Sequence, residues 1–209
     1  MSALTFKLKD KPANKIDCSC LTPNNLAGLS LAQIENLNLL NNKNSAKVSD
    51  YFEVSGNNSE IIVFKNPSRQ LDFIGHKMSY GSIICQGDVG DRIGDQMRRG
   101  LILIDGNAGD YCGSRMIAGT IGIYGNVGKY IGFAMKRGTI LLNHQPDLYT
   151  CFHATIQDCG THNLPFLALL FKSFKAFPSK FSALKDQRAQ RFAGDLACNG
   201  NGEILVLKP

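Results

Sequence analysis

Seven cysteines and four histidines are the residues of this 209-residue chain that could bind a metal or act as nucleophiles. Cys18 and Cys20 are one residue apart, and the chain has no Cys-x-x-Cys pair. Structural zinc sites use closely spaced pairs of thiolates or imidazoles, and a disulfide framework favours an even number of cysteines. We therefore predict reduced thiols and no metal site. The alternative is a metal site made by four residues: Cys151, His153, Cys159 and His162.

Familiar catalytic motifs are missing from the sequence. We find no G-x-S-x-G nucleophile turn, no P-loop and no H-E-x-x-H zinc motif. Asp158 and Asp195 are carboxylates without an obvious partner, and such residues more often cap helices or face solvent than catalyse. No residue is therefore predicted to be catalytic.

The cations are the residues that indicate a partner. The formal net charge is +6. Six cations recur beside a repeated methionine: Lys77, Arg98, Arg99, Arg115, Lys136 and Arg137. If the segments carrying them stack as strands do, at about 4.8 Å, they form a basic stripe for an acidic subunit face or a polyanionic cofactor tail. Solvated surface is the alternative. Nucleic acid is not expected, because no aromatic ladder accompanies these charges.

A 19-residue repeat must position these cations. Four copies occupy residues 72–147 and contain 15 of the 21 glycines. Two apolar positions recur in every copy. One is filled by Met78, Met97, Met116 and Met135, and the other by Ile74, Ile93, Cys112 and Ile131.

Each copy also contains a segment in which alternate residues are apolar, such as Ile83 and Cys85 in the first copy. Alternation with β-branched residues predicts a strand with one buried face. A fixed period of strand and glycine turn is typical of a solenoid. We therefore predict a mainly β fold, a right-handed parallel β-helix with 19-residue turns and α/β capping flanks. The two repeated apolar positions should stack as buried columns.

The flanks divide the chain into three predicted regions. These are an N-terminal α/β cap over residues 1–52, the glycine-rich β-helix over 53–147, and a C-terminal helical cap with a final strand over 148–209. Ser30 and Gln33 match a capping box at a helix start. The first ten residues are polar, and the longest apolar run is too short to span a bilayer. We therefore expect a cytoplasmic protein without a membrane partner.

Four segments carry a resemblance to a known family. Residues 94–109 read G-D-x-M-R-R-G-x-I-x-x-x-G-N-A-G, a repeat that looks like the glycine-rich domain shared by the C subunit of formylmethanofuran dehydrogenase and the large subunit of glutamate synthase. Residues 21–35, 113–121 and 191–195 resemble the C subunit specifically. The similarity is greatest to the C (gamma) subunit of the bacterial formyltransferase/hydrolase complex of methylotrophs.

The resemblance implies a role in one-carbon oxidation. A complex of this family transfers a formyl group from formyl-tetrahydromethanopterin to a methanofuran-type cofactor and hydrolyses it to formate. The chemistry belongs to the amidohydrolase-like A subunit and the formyltransferase D subunit, which assemble with B and C. The C subunit is then a β-helical partner with no catalytic residues to carry over, and binds no cofactor alone. This favours an acidic subunit face as the ligand of the basic stripe. The alternative is an independent glutamate-synthase-type module.

Overall fold

The computed structural model describes residues 2–41, 45–185 and 187–208, which form two sheets flanked by short helices. The strands are β1 (Ala3–Leu8), β2 (Ile16–Asp17), β3 (Asn38–Asn41), β4 (Ser45–Lys47), β5 (Phe52–Ser55), β6 (Asn58–Lys65), β7 (Leu71–Asp72), β8 (Ser82–Gln86), β9 (Leu101–Ile104), β10 (Thr120–Ile123), β11 (Arg137–Leu142), β12 (Gln157–His162), β13 (Arg188–Gly194) and β14 (Asn201–Lys208). The α-helices are α1 (Pro23–Leu26), α2 (Leu31–Glu35), α3 (Val48–Tyr51), α4 (Leu148–Cys151) and α5 (Phe166–Phe174). Two 3-10 helices span Lys180–Ala183 and Leu196–Cys198.

The larger sheet has ten strands in the order β12-β13-β14-β11-β10-β9-β8-β6-β1-β5. Pairing is parallel from β14 to β1 and antiparallel at both ends, where β5 joins β1 and where β13 and β12 extend β14. The smaller sheet has the order β4-β3-β2-β7. Strands from both flanks therefore extend the sheet that the repeats begin.

The prediction of a right-handed parallel β-helix was wrong. Each repeat contributes one strand, β8 to β11, to a single mixed sheet, and the described residues do not form a closed solenoid. The alternating residues form the expected strands, but the rest of each copy turns instead of adding further strands. Four residues at the start of the copies have φ between 57° and 60°: Phe73, Arg92, Tyr111 and Tyr130.

The 19-residue period does set the register of the sheet. Ile83 pairs with Ile102, Ile102 with Ile121, and Ile121 with Ile140. Each pair is 19 residues apart, so equivalent side chains stack between neighbouring copies. The two predicted columns are confirmed, because all four methionines and all of Ile74, Ile93, Cys112 and Ile131 are fully buried.

A ladder of acidic side chains holds the copies in this register. Asp72 Oδ1 accepts a hydrogen bond from the backbone N–H of Asp91 at 2.8 Å. Asp91 does the same for Asp110 at 2.9 Å, and Asp110 for Lys129 at 2.7 Å. Every bond joins residues 19 apart. The ladder ends at Lys129, whose side chain has no acceptor to continue it.

The repeated glycines leave room for this ladder. A Cβ at Gly109 would overlap Asp91 Oδ1, and the same clash with the preceding aspartate occurs at Gly90 and Gly128. A second ladder of the same kind joins Asp88 and Asn107. The N–H of Asn107 donates to Asp88 Oδ1 at 2.8 Å. Glycine recurs at positions 90, 109 and 128 because an aspartate oxygen of the previous copy fills the space.

The N-terminal flank is fixed to the repeats by a buried aromatic cluster and an ion pair. Phe6, Phe52 and Phe64 pack with ring centroids 5.3–6.1 Å apart. Lys15 Nζ contacts Asp72 Oδ1 at 2.8 Å and Asp91 Oδ2 at 3.1 Å. The capping box of Ser30 and Gln33 at the start of α2 is confirmed.

The C-terminal flank packs on the outer face of the sheet. Phe171 and Phe174 of α5 join a buried cluster with Leu103, Leu141 and Leu205. The segment contributes β12 and β13 as well as the final strand β14. The three-region division of the chain stays a prediction. Among the described residues, none of the helices combines the length and the apolar composition needed to cross a bilayer.

Replacing Gly109 with alanine should lower the free energy of unfolding by about 2 kcal/mol or more. The added Cβ would clash with Asp91 Oδ1 and lie 2.7 Å from the Gly90 carbonyl oxygen. Denaturant titration of the purified chain measures the loss.

Gly28→Ala is the matched control for that variant. Gly28 has a φ of +77°, but no described atom lies within 4 Å of an added Cβ. Its replacement should cost only the left-handed backbone penalty, about 1 kcal/mol. An equal or larger loss in the control would contradict the steric role of the ladder.

Candidate functional site

All six predicted cations are exposed, and we call the surface that carries them the basic face: Lys77, Arg98, Arg99, Arg115, Lys136 and Arg137. Lys77 and Arg115 directly precede the methionine of their copy, and the other four cations directly follow it. The N–H of Arg98 donates to the Met78 carbonyl at 2.8 Å, and that of Lys136 donates to the Met116 carbonyl at 2.7 Å. The buried methionines therefore fix where these cations emerge.

The cations do not occupy successive copies of any one column. The 19-residue register gives three columns: Lys77, Gln96, Arg115 and Ala134; then Ser79, Arg98, Ile117 and Lys136; then Tyr80, Arg99, Ala118 and Arg137. Within each column, charge recurs in every second copy. The spacing is therefore about 9.6 Å, twice the strand separation, and not the 4.8 Å expected from the sequence.

Arg115 differs from the other five because it is bound to Asp95, whose side chain is fully buried. Arg115 Nε and Nη2 donate to Asp95 Oδ1 and Oδ2 at 3.0 and 2.7 Å. Ser114 Oγ adds a bond of 2.7 Å to Oδ1, and His76 Nδ1 lies 3.0 Å from Oδ2. This network neutralises the one basic-face cation of the third copy.

The remaining five cations are available to a partner. Within the part of the chain that the structure describes, Lys77, Arg98, Arg99, Lys136 and Arg137 have no carboxylate within 4.0 Å. All five are exposed. A surface with five unpaired cations can attract an anionic partner through long-range charge and contact it directly.

A hydrophobic position among the cations was missed by the sequence reading. Ile117 is 38% exposed and lies in the same column as Arg98 and Lys136. Its neighbour Ala118 is half-buried. Comparing the four copies position by position, instead of selecting the charged residues, would have found it.

A stacked column of planar side chains was also missed. The Tyr111 and Tyr130 rings stack at 5.0 Å, and the Arg92 guanidinium lies 4.9 Å from the Tyr111 ring centroid. Arg92 also lies 5.8 Å from the Phe73 ring. These groups are one another's partners, so the column stabilises the turn between copies.

The thiols and imidazoles make local contacts. His153 Nδ1 lies 2.6 Å from Thr155 Oγ1, and His162 Nε2 lies 2.7 Å from the Cys159 carbonyl oxygen. Burial raises the pKa of Cys112 to about 12. Across residues 2–41, 45–185 and 187–208, no group of three or more His, Cys, Asp or Glu side chains is placed to hold a metal ion.

The two isolated carboxylates have structural roles. Asp195 accepts hydrogen bonds from the N–H groups of Ala134 and Ala197, each at 2.9 Å. Asp158 accepts from Gln190 Nε2 at 2.7 Å. Asp195 thereby fixes the 3-10 helix Leu196–Cys198 to the last repeat.

A groove with a cavity volume of about 450 Å³ runs beside the aspartate ladder. It is lined by Lys15, Arg69, Asp91 and glycine backbone. Lys15 and Arg69 already pair with acidic side chains. The basic face therefore offers unpaired positive charge that this groove does not.

Comparisons with known proteins find relatives of one kind. No family model matches the sequence. The chain is 34% identical over 88 residues to the C subunit of the formyltransferase/hydrolase complex Fhc of Methylorubrum extorquens, covering 42% of this chain and 33% of that protein. It is 30% identical over 92 residues to the C subunit of tungsten-containing formylmethanofuran dehydrogenase 2 of Methanococcus maripaludis, covering 43% and 34%. The matched segment spans about a third of each relative.

A structural comparison extends the likeness to almost the whole chain. The crystal structure of the formyltransferase/hydrolase complex FhcABCD from Methylorubrum extorquens with methylofuran contains a chain that matches with a TM-score of 0.59 at 25% identity. The match covers 98% of this chain and 100% of that chain. The chain thus has homologues among C subunits of these complexes. These relatives give no support to the predicted link with glutamate synthase.

Removing the charge of Asp95 should make the free energy of unfolding less sensitive to acidic pH. Burial alone would raise the pKa of Asp95, but hydrogen bonds from Arg115, Ser114 and Gln96 outweigh it, and the pKa falls below its ordinary value of 3.8. Because the folded-state pKa is depressed, the stabilisation is present above pH 3.8 and is lost as pH falls through the folded-state value.

Denaturation curves between pH 6 and pH 2 test this. Asp95→Asn should be less stable than the wild type at pH 6, and the difference should shrink towards low pH. Asp10→Asn, an exposed change outside the network, is the control and should follow the wild type. A constant difference between Asp95→Asn and the wild type would show that the carboxylate charge contributes nothing.

Proposed function

We propose that this chain is the non-catalytic C-type subunit of a formyltransferase/hydrolase complex. The observation that carries the proposal is the structural likeness to a chain of such a complex, over 98% of this chain and all of that chain. Sequence similarity to the C subunits of two such enzymes supports the position within the complex.

The proposed complex transfers a formyl group from formyl-tetrahydromethanopterin to a methanofuran-type cofactor and hydrolyses the product to formate. The solved complex contains methylofuran. We assign the transfer and hydrolysis to a formyltransferase D subunit and an amidohydrolase-like A subunit, assembled with a B subunit. This chain then contributes surfaces that hold other subunits, and we propose the basic face, with its five unpaired cations, as one of them.

We further propose that the complex works in the cytoplasm. All seven cysteines are free, and burial raises the pKa of Cys20 to about 11, with Asp17 adding to the shift. Free thiols suit a reducing compartment.

A tagged copy of the chain expressed in its source organism should co-purify with amidohydrolase-like and formyltransferase-like subunits. The purified assembly should release formate from formyl-tetrahydromethanopterin when a methanofuran-type cofactor is present. Mass spectrometry of the eluate and a formate assay are the measurements.

An untagged strain is the control for that purification. A chain that elutes as a monomer, and that transfers amino groups on its own, would contradict the proposal. That result would favour an independent glutamate-synthase-type module.

A further inference from the structure

The basic face consists of alternating rows. A row comprises the position directly before the methionine of one repeat copy and the two positions directly after it. Arg98 and Arg99 form a cationic row in the second copy, and Lys136 and Arg137 form another in the fourth. Ile117 and Ala118 of the third copy lie between them. The backbone fixes this order, because Arg98 donates to Met78, Ile117 to Met97 and Lys136 to Met116.

The middle row is apolar and electrically neutral. Its one cation, Arg115, is held by two hydrogen bonds to the buried carboxylate of Asp95. The middle row therefore presents the Ile117 side chain, 38% exposed, with no uncompensated charge.

The width of this arrangement corresponds to one helix. The two cationic rows are two strand separations apart, about 9.6 Å. An α-helix with its side chains is about 10–12 Å across. A helix lying over Ile117 would place its flanks above the two pairs of cations.

We propose that this surface seats an acidic amphipathic helix of another subunit, with an apolar side chain on Ile117 and carboxylates facing Arg98, Arg99, Lys136 and Arg137. The inference rests on the proposed function, because it identifies the partner as a subunit of the same complex. An apolar centre with a charged rim is the arrangement in which one buried anchor supplies affinity and the rim supplies orientation.

An extended polyanion fits the surface less well. A chain of carboxylates running across the copies would meet the neutral row of Ile117 and Ala118 between the two cationic rows. It would leave Ile117 exposed and gain nothing from it. A helix uses all three rows at once, which is why we assign the surface to a protein partner.

The test is competition between tagged variants and untagged wild-type chain during assembly in the source organism. The variant fraction in the purified complex is read by mass spectrometry. Ile117→Lys should enter the complex about tenfold less than tagged wild type, because it replaces the apolar anchor with another cation. The double variant Arg98→Glu with Arg99→Glu should be excluded to a similar degree. Ile117→Leu, which keeps the anchor apolar, should enter normally.

Two controls separate the outcomes. Lys172→Glu with Lys175→Glu makes the same charge change on the exposed part of α5 and just beyond it, and should assemble like the wild type. Thermal melting of each variant confirms folding. Binding of poly-L-glutamate to each purified chain reports on the polyanion alternative.

Normal assembly of Ile117→Lys, together with tighter binding of poly-L-glutamate, would overturn the helix proposal in favour of a polyanion site. Normal assembly of every variant would also overturn it, and would leave the face solvated. If tagged wild type itself joins no complex, the proposed function fails instead. That result is distinguishable because it does not depend on the variants.

Discussion

The hydrogen bond that a backbone N–H donates to a side-chain oxygen of the preceding copy is the constraint on which the structure depends. Asp72, Asp91 and Asp110 each make it, at 2.7–2.9 Å and always to the residue 19 positions later. The bond sets the register between copies and excludes any Cβ at the glycine that faces it. One interaction thus accounts for the register between copies and for the glycines at positions 90, 109 and 128. It also explains why the ladder stops where Lys129 takes the aspartate position, since an ammonium cannot accept a hydrogen bond.

The fixed register determines which side chains of neighbouring copies lie next to one another on the surface. Because residues 19 apart lie side by side, the residue types at three positions around the methionine decide which exposed rows are cationic and which are apolar. The burial of Met78, Met97, Met116 and Met135 holds these rows at the same height on every copy. The charge pattern of the basic face is therefore a property of a rigid core and not of flexible loops, which is the condition for recognising a partner of defined shape.

The sequence predicted the parts of the fold that depend on periodicity. The isoleucine and methionine columns and the strand in each copy follow from spacing alone, and the capping box of Ser30 and Gln33 follows from local chemistry. The prediction of a closed solenoid was wrong. The alternation of apolar residues does not reveal whether the residues between the strands form further strands or left-handed turns. The candidate site stays a prediction, and within each column its cations occur in every second copy instead of in every copy. The pairing of Arg115 with Asp95 joins residues 20 apart across two copies, so it is invisible until the register is known. Ile117 is uncharged, so a prediction made from the charged positions does not include it.

Hydroxyl-radical footprinting of the free chain and of the assembled complex tests the central claim most directly, because it reports the solvent exposure of individual side chains. The account predicts that labelling of Ile117, which is 38% exposed in the free chain, falls sharply on assembly. Equal labelling of Ile117 in the free chain and in the complex would contradict it, since the surface that the register creates would then meet no partner.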